Sequence, residues 1–162
     1  MPSDSSSTGS LRSAPKRGAA DEVRQVLKKR GLRYSRPREA ILAYLSEEDR
    51  HVSAESLYLE LKQRGEDLSL STVYLNLAAL TEAGLVCEFK GANGESLYDS
   101  NVTPHYHVVC KETGEILDVP APLIDGKPLG LFLKEQIERA TGWQVDEPQF
   151  SLSGLSPATR DA

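Results

Sequence analysis

Cysteine is scarce in this chain. Its 162 residues hold two, Cys87 and Cys110, 23 positions apart. With no C-x-x-C pair, zinc fingers, rubredoxin-like sites and cysteine-held iron–sulfur clusters are excluded. Two cysteines cannot make a disulfide framework. Long apolar runs are missing too: none approaches the roughly 20 residues that a membrane span needs. The first 18 residues are rich in Ser, Pro and Gly, with no hydrophobic stretch, so they do not read as a secretory signal. A cytoplasmic protein with no membrane association is expected. The length is too short for a large barrel enzyme with its loops. A hydrophobic fraction of 39% against 27% charged residues is nevertheless enough for a folded core.

Positive charge is also in deficit overall. The net charge is −5, which as a bulk figure argues against a nucleic-acid partner. The charge is unevenly spread, however. Residues 1–38 hold ten Lys/Arg against three Asp/Glu, and residues 39–162 hold nine against 21. A basic N-terminal segment of net +7 is hidden by an acidic remainder of net −12.

Beyond a low-complexity stretch at 1–19, read as a flexible tail, the pattern is helical. Val23, Val26 and Leu27 give a short amphipathic helix stopped by Gly31. Ser35 caps a second helix, with Pro37 tolerated in its first turn. Ala40, Ile41, Ala43, Tyr44 and Leu45 are its expected buried stripe. Ser53 starts a third helix, with Leu57, Tyr58 and Leu61 on its apolar face and Gly65 at its end. Ser69 precedes a fourth, where Val73, Leu77 and Leu80 recur at helical spacing before Gly84. The period then changes to two: Leu85, Cys87 and Phe89 alternate, Asn93–Gly94 supplies a turn, and Ser96 and Tyr98 begin the return strand. Helices followed by a hairpin make the winged-helix arrangement. The remainder reads β-β-α-β, with strands at Tyr106–Cys110, Glu115–Val119 and within Trp143–Ser153, and a helix over Pro128–Thr141. The fold class is therefore α+β.

Helix 53–64, the link Gly65–Leu68 and helix 70–82 form a candidate helix-turn-helix. The second helix would enter a major groove and offer Ser71, Thr72, Tyr74 and Asn76 to base edges. Leu75 and Ala78 could meet thymine methyls if their face is outward. Arg33, Arg36 and Arg38 would meet phosphates, which makes binding salt-dependent. Helix 70–82 itself contains no Lys or Arg. A small helical protein without DNA affinity has the same spacing, and Tyr74 could be a core tyrosine.

Two of the three histidines form His105–Tyr106–His107. In a strand both rings point to one face. Asp99 precedes them by six residues, Asp118 lies on the next strand, and His51 stands before the third helix. Imidazoles with carboxylates and no thiolate suit Fe(II), Mn(II) or Zn(II) over Cu(I). A structural reading remains open: Asp99 as a turn cap, Asp118 as a solvated strand residue, His51 packed on a helix end. So does a small non-haem iron enzyme, since two histidines and one carboxylate also make an oxygenase site.

These pieces together resemble the Fur (ferric uptake regulator) family of metal-sensing bacterial repressors, on its peroxide-sensing branch. The resemblance runs from about Val23 to Leu152 and rests on LRYSRPREAIL (Leu32–Leu42), HVSAESLY (His51–Tyr58), LSLSTVYLNLAALTEAGLV (Leu68–Val86), LYDSNVTPHYHVVC (Leu97–Cys110) and TGEILDV (Thr113–Val119). It implies a winged helix-turn-helix DNA-binding domain at 20–99 and a small α/β dimerisation and metal-sensing domain at 100–162. It further implies a homodimer on a palindromic double-stranded operator, and no catalysis. His51, Asp99, His105, His107 and Asp118 match the family's regulatory metal ligands. Two Asp residues in that set are similar to the peroxide-sensing members, in which Fe(II) promotes oxidation of a ligand histidine, here His51 or His105. Tyr74 matches a base-contacting tyrosine, and Arg33 and Arg38 match basic DNA contacts. The implied co-repressor is Fe(II) or Mn(II), with Zn(II) able to occupy the site in purified protein. A manganese-uptake regulator without peroxide sensing is the alternative inside the family.

One family feature is missing. Most relatives hold a structural zinc with two C-x-x-C pairs, but here only Cys110 remains, Thr113 takes the next position, and no cysteine follows. No four-cysteine structural zinc can form. Packing of Leu129, Phe132, Leu133, Ile137 and Trp143 is expected to hold the second domain instead, with Cys110 in its core.

Overall fold

The computed structural model describes residues 20–161. The expected tail at 1–19 lies outside the described residues. Four helices come first: α1 (Ala20–Lys29), α2 (Arg36–Glu47), α3 (Ala54–Gln63) and α4 (Leu70–Glu82). α1 carries Asp21 and Glu22 in its first turn and Lys28 and Lys29 in its last, the order that opposes the helix dipole. The other three each begin at a serine. Ser35, Ser53 and Ser69 accept a hydrogen bond from the backbone N–H of Arg38, Ser56 and Thr72. Each cap contributes about 1 kcal/mol. α4 ends on Gly84 at φ 70°, where a side chain would be strained. Leu85 N–H then reaches Leu80 carbonyl at 2.9 Å and Gly84 N–H reaches Thr81 carbonyl at 3.0 Å, which closes the helix and turns the chain into the hairpin.

The apolar faces of these helices form one core. Leu27, Ile41, Leu57 and Leu77 lose all contact with solvent, and Val23, Leu45, Val73, Leu80 and Tyr98 join them. Ala43, expected in the stripe of α2, is exposed. The row that faces the core runs through Ile41, Leu42 and Leu45, and at 100° per residue Ala43 falls outside it.

The hairpin pairs β1 (Cys87–Lys90) with β2 (Ser96–Asp99), Phe89 opposite Leu97 and Cys87 opposite Asp99. Residues 91–95 form its loop, with Gly94 at φ 79°. A second sheet follows, of strand order β4-β3-β7: β3 (His105–Cys110), β4 (Ile116–Pro120) and β7 (Ser151–Gly154). β4 runs antiparallel to β3 and β7 parallel. Between them lie the short β5 (Leu123–Ile124) and β6 (Lys127–Pro128), then α5 (Leu129–Thr141); α6 (Pro157–Arg160) comes last. The architecture is α+β, a winged helix followed by a sheet unit. Gly130 N–H donates to the buried Tyr106 hydroxyl at 2.9 Å and joins α5 to the sheet. A Cβ at Gly130 would stand 3.0 Å from the Pro148 carbonyl, so the close approach depends on glycine.

The packing expected of the sheet unit is only partly present. Leu129, Phe132 and Leu133 are half-buried, but Ile137 and Trp143 are exposed, Trp143 by 73%. Three strands and one helix cannot enclose them. Cys110 is buried as expected.

Candidate metal centre

His51 reaches the centre through a single β-bridge. Val52 pairs with Tyr98, N–H to carbonyl at 3.3 Å and the reverse at 2.9 Å, which sets His51 beside Asp99 at the end of β2. Ser100 hydroxyl donates to Leu45 carbonyl and fixes that strand end to α2. His105 and His107 share one face of β3, and Asp118 on β4 lies directly opposite His107. Two candidate ligands thus come from the helix–hairpin unit and three from the sheet.

The side chains converge. One ligand atom each from His51, Asp99, His107 and Asp118 lies within 4.8 Å of the others. Asp99 Oδ2 is 3.6, 3.1 and 3.5 Å from the Nε2 atoms of His51, His105 and His107. Asp118 Oδ1 is 3.0 Å from His51 Nε2 and 3.4 Å from His107 Nε2. Two donors bound at about 2.1 Å to one ion stand about 3.0 Å apart in octahedral and about 3.4 Å apart in tetrahedral geometry. The observed spacings fit either.

The outer contacts turn the donor atoms inward. His105 Nδ1 lies 2.6 Å from Thr103 carbonyl and donates to it, which leaves Nε2 as the free donor atom. Asp99 divides its two oxygens: Oδ1 accepts from Asn101 N–H at 2.7 Å, and Oδ2 faces the histidines. The turn-cap and ligand readings of Asp99 are therefore compatible. His51 Nε2 and Asp118 Oδ1 are shut from solvent and form no well-aligned hydrogen bond, although they face each other. Such inward-facing polar atoms suit a cation. Electrostatics agree. Burial works to raise the Asp99 carboxyl, but the imidazoles of His105, His107 and His51 that face it, with the Asn101 N–H, outweigh burial and hold it far below the usual range. The Asp99 contact raises His105 against the effect of burial. Burial lowers His51, yet Asp99 and Asp118 leave it raised.

A family profile described as "Ferric uptake regulator family" matches residues 29–151. The chain belongs to the Fur family. Among its relatives, the peroxide operon regulator of Bacillus subtilis is 31% identical over 134 residues, 83% of this chain and 88% of that protein. The ferric uptake regulation protein of Campylobacter jejuni is 34% identical over 125 residues, 75% of this chain and 79% of that one. The structure of a ferric uptake regulator from Pseudomonas aeruginosa with manganese superposes with a TM-score of 0.60 at 32% identity, covering 83% and 98% of the two chains. This Fur-family chain is thus a transcriptional regulator and not an enzyme, with a candidate His/Asp metal site and relatives in both branches.

The expected DNA-facing residues are distributed differently. Ser71 is exposed and Tyr74 is 43% exposed; its hydroxyl donates to the Glu55 carboxylate on α3. Thr72 hydroxyl stays with Ser69, at 2.9 Å. Asn76 is a correction: it is buried, and its amide donates to Thr72 carbonyl at 2.8 Å, so it presents nothing to a base edge. The helical period places it beside Val73 and Leu80, facing the core. Leu75 and Ala78 do face outward. Arg33 is exposed, Arg36 pairs with Glu66 at 3.1 Å, and Arg38 donates to Arg33 carbonyl at 2.6 Å. Sequence reasoning missed Glu55, and it also missed the surroundings of Cys110. Thr159 hydroxyl stands 3.6 Å from that thiol. Hydrogen bonds from Thr113 hydroxyl, then Ser156 and Thr113 N–H, bring its pKa down to about 6. Ser156-x-x-Thr159 repeats the spacing of Cys110-x-x-Thr113, a signal present in the sequence. Among the described residues no helix is long and apolar enough to cross a membrane.

Proposed function

We propose that this Fur-family regulator is a peroxide-responsive, metal-dependent repressor with Fe(II) or Mn(II) as co-repressor. It would act as a homodimer on a palindromic operator, with residues 20–99 as its DNA-binding domain and 100–162 as its dimerisation and sensing domain. The observation that carries this reading is the convergence of His51 and Asp99 from one unit with His107 and Asp118 from the other, with His105 Nε2 beside Asp99 and His107. The all-N/O donor set suits Fe(II) and Mn(II). Both carboxylates are Asp, similar to the peroxide-sensing members, and regulators of that kind are among the relatives.

Fe(II) held by these residues would supply one-electron reduction of peroxide, the chemistry by which a neighbouring imidazole, that of His51 or His105, would be oxidised. The chain's own residues do the rest. His51 and Asp99 fix the helix–hairpin unit to the centre; His105, His107 and Asp118 fix the sheet. Ligation favours the arrangement in which all five converge, and DNA binding follows only if that arrangement fits the operator better. In a dimer the two recognition helices would address half-sites about 34 Å apart. Arg33, Arg36 and Arg38 would meet phosphates, with Ser71, Thr72 and Tyr74 nearer the bases.

A gel shift against the chain's own upstream DNA tests this. Fe(II) and Mn(II) should each support a shift, peroxide should release only the Fe(II) form, and His105→Ala should abolish metal dependence. A shift by His105→Ala with unchanged metal dependence contradicts the metal reading. A metal-dependent shift that Fe(II) does not support, with no histidine oxidation, assigns the chain to manganese sensing.

A further inference from the structure

Phe89 lies on β1 of the hairpin and is buried. Its ring stacks on the His107 imidazole with centroids 3.5 Å apart and planes 8° from parallel. It also meets the edge of His51 at 5.4 Å. Cross-strand pairing puts Phe89, Leu97, Cys87 and Asp99 on one face of the hairpin. That face therefore gives the centre a ligand from β2 and an aromatic wall from β1.

The stacking geometry is informative. A separation of 3.5 Å is contact distance for stacked carbons, so the rings have almost no lateral offset. Two neutral aromatic rings avoid this arrangement, because their negative faces oppose each other. A ring that carries positive charge reverses the preference and is attracted to an aromatic face. An imidazole bound to a divalent cation through Nε2 is such a ring, since the ion draws electron density from it. The contact between Phe89 and His107 is thus worth more with a metal bound than without, and that difference is what can bias a two-state arrangement.

We propose that Phe89 is a positioning residue that couples the metal centre to the hairpin: its ring holds His107 in its ligating orientation and draws the hairpin onto β3 when the site fills. This rests on the metal-centre reading above. It adds a link through β1, the hairpin strand that carries no ligand, because Phe89 binds no ion yet sits one residue from Lys90 and the hairpin loop. The cation strengthens the stack, and the stack in turn strengthens cation binding, by the same factor.

The test varies the electron density of the ring and leaves its shape alone. Phe89 is replaced by mono-, di- and trifluorophenylalanine in the full chain. Mn(II) affinity is measured by titration, the d–d spectrum of the Co(II) form is recorded, and the melting temperature of the metal-free form is followed. Affinity should fall stepwise along the series to roughly thirty-fold below the wild type, the size of a desolvated cation–π contact. The metal-free melting temperature should stay level. Phe89→Leu, which fills similar space without a π face, should match the trifluoro variant, and Phe89→Tyr should bind as the wild type does. A flat series with intact wild-type binding overturns the role of Phe89 alone, as does a Leu variant equal to wild type. Failure of the wild-type chain to bind Mn(II) or Co(II) overturns the metal centre itself.

Discussion

The helical unit closes its own core, whereas the sheet unit leaves much of its apolar surface open. Leu27, Ile41, Leu57 and Leu77 are shut from solvent, but Leu117, Leu152, Leu155 and Trp143 each expose more than half of theirs. The metal centre spans the two. A self-sufficient unit supplies His51 and Asp99 to the candidate cluster, and a unit that needs further contacts supplies His107 and Asp118, with His105 beside Asp99. Ligation at such a boundary can act on the relation between units without being needed for the helical fold. The exposed apolar residues of the sheet unit are the face that a second copy would cover in the proposed dimer.

The sharpest way to break this contrast is to cut each side. Leu57→Ala should cost about 3–5 kcal/mol in denaturant unfolding, because it opens a cavity in a closed core. Trp143→Ala should cost far less in that measurement and instead raise the dimer dissociation constant in sedimentation. Comparable losses of unfolding stability from both would erase the contrast.

The centre itself comes next in size. Asp99→Asn keeps an oxygen for Asn101 N–H but loses the charge that faces three histidines. Mn(II) affinity should fall at least a hundred-fold, beyond the roughly 10–100-fold that loss of a supporting partner costs. The melting of the helical unit should change little.

Smaller effects are expected from pH. His51 and His105 are raised in the fold, so they stabilise the metal-free protein below the usual histidine range, and this stability is lost as pH rises through the raised values. Asp99 is held low, so its contribution is present above the usual carboxylate range and is lost as pH falls through the depressed value. The metal-free form should be most stable between those ranges. Mn(II) affinity should have the opposite slope on the histidine side and increase with pH, because the ligands must shed protons. Calorimetry in buffers of different ionisation enthalpy should detect that release near neutrality. The smallest expected effect is a cap: Ser53→Ala should cost about 1 kcal/mol, seen as a modest shift of the unfolding midpoint.

The helical unit was the more legible in the sequence. Ser35, Ser53, Ser69 and Gly84 act through local hydrogen bonds and backbone angles, and local rules are written in neighbouring residues. The His-x-His pair on β3 follows from strand periodicity in the same way. What sequence patterns do not carry is which residues meet across the fold. Asn76 faces the core although it is polar, because its amide finds a partner on its own helix, at Thr72. Trp143 was expected in a core that one sheet and one helix are too small to form. The Phe89–His107 stack joins residues 18 positions apart and depends on the register of two sheets. The repeated spacing of Cys110-x-x-Thr113 and Ser156-x-x-Thr159 is in the sequence, but their meeting around the thiol follows only from the C-terminal segment lying against β3.

In the proposed regulator one cation is held by ligands from both units. Mn(II) titration of the full chain, of His51→Ala and of Asp118→Ala tests it directly. One tight site per chain in the wild type, lost in both variants while α1–α4 still melt as before, is the predicted result. Retention of that tight site by either variant would contradict it.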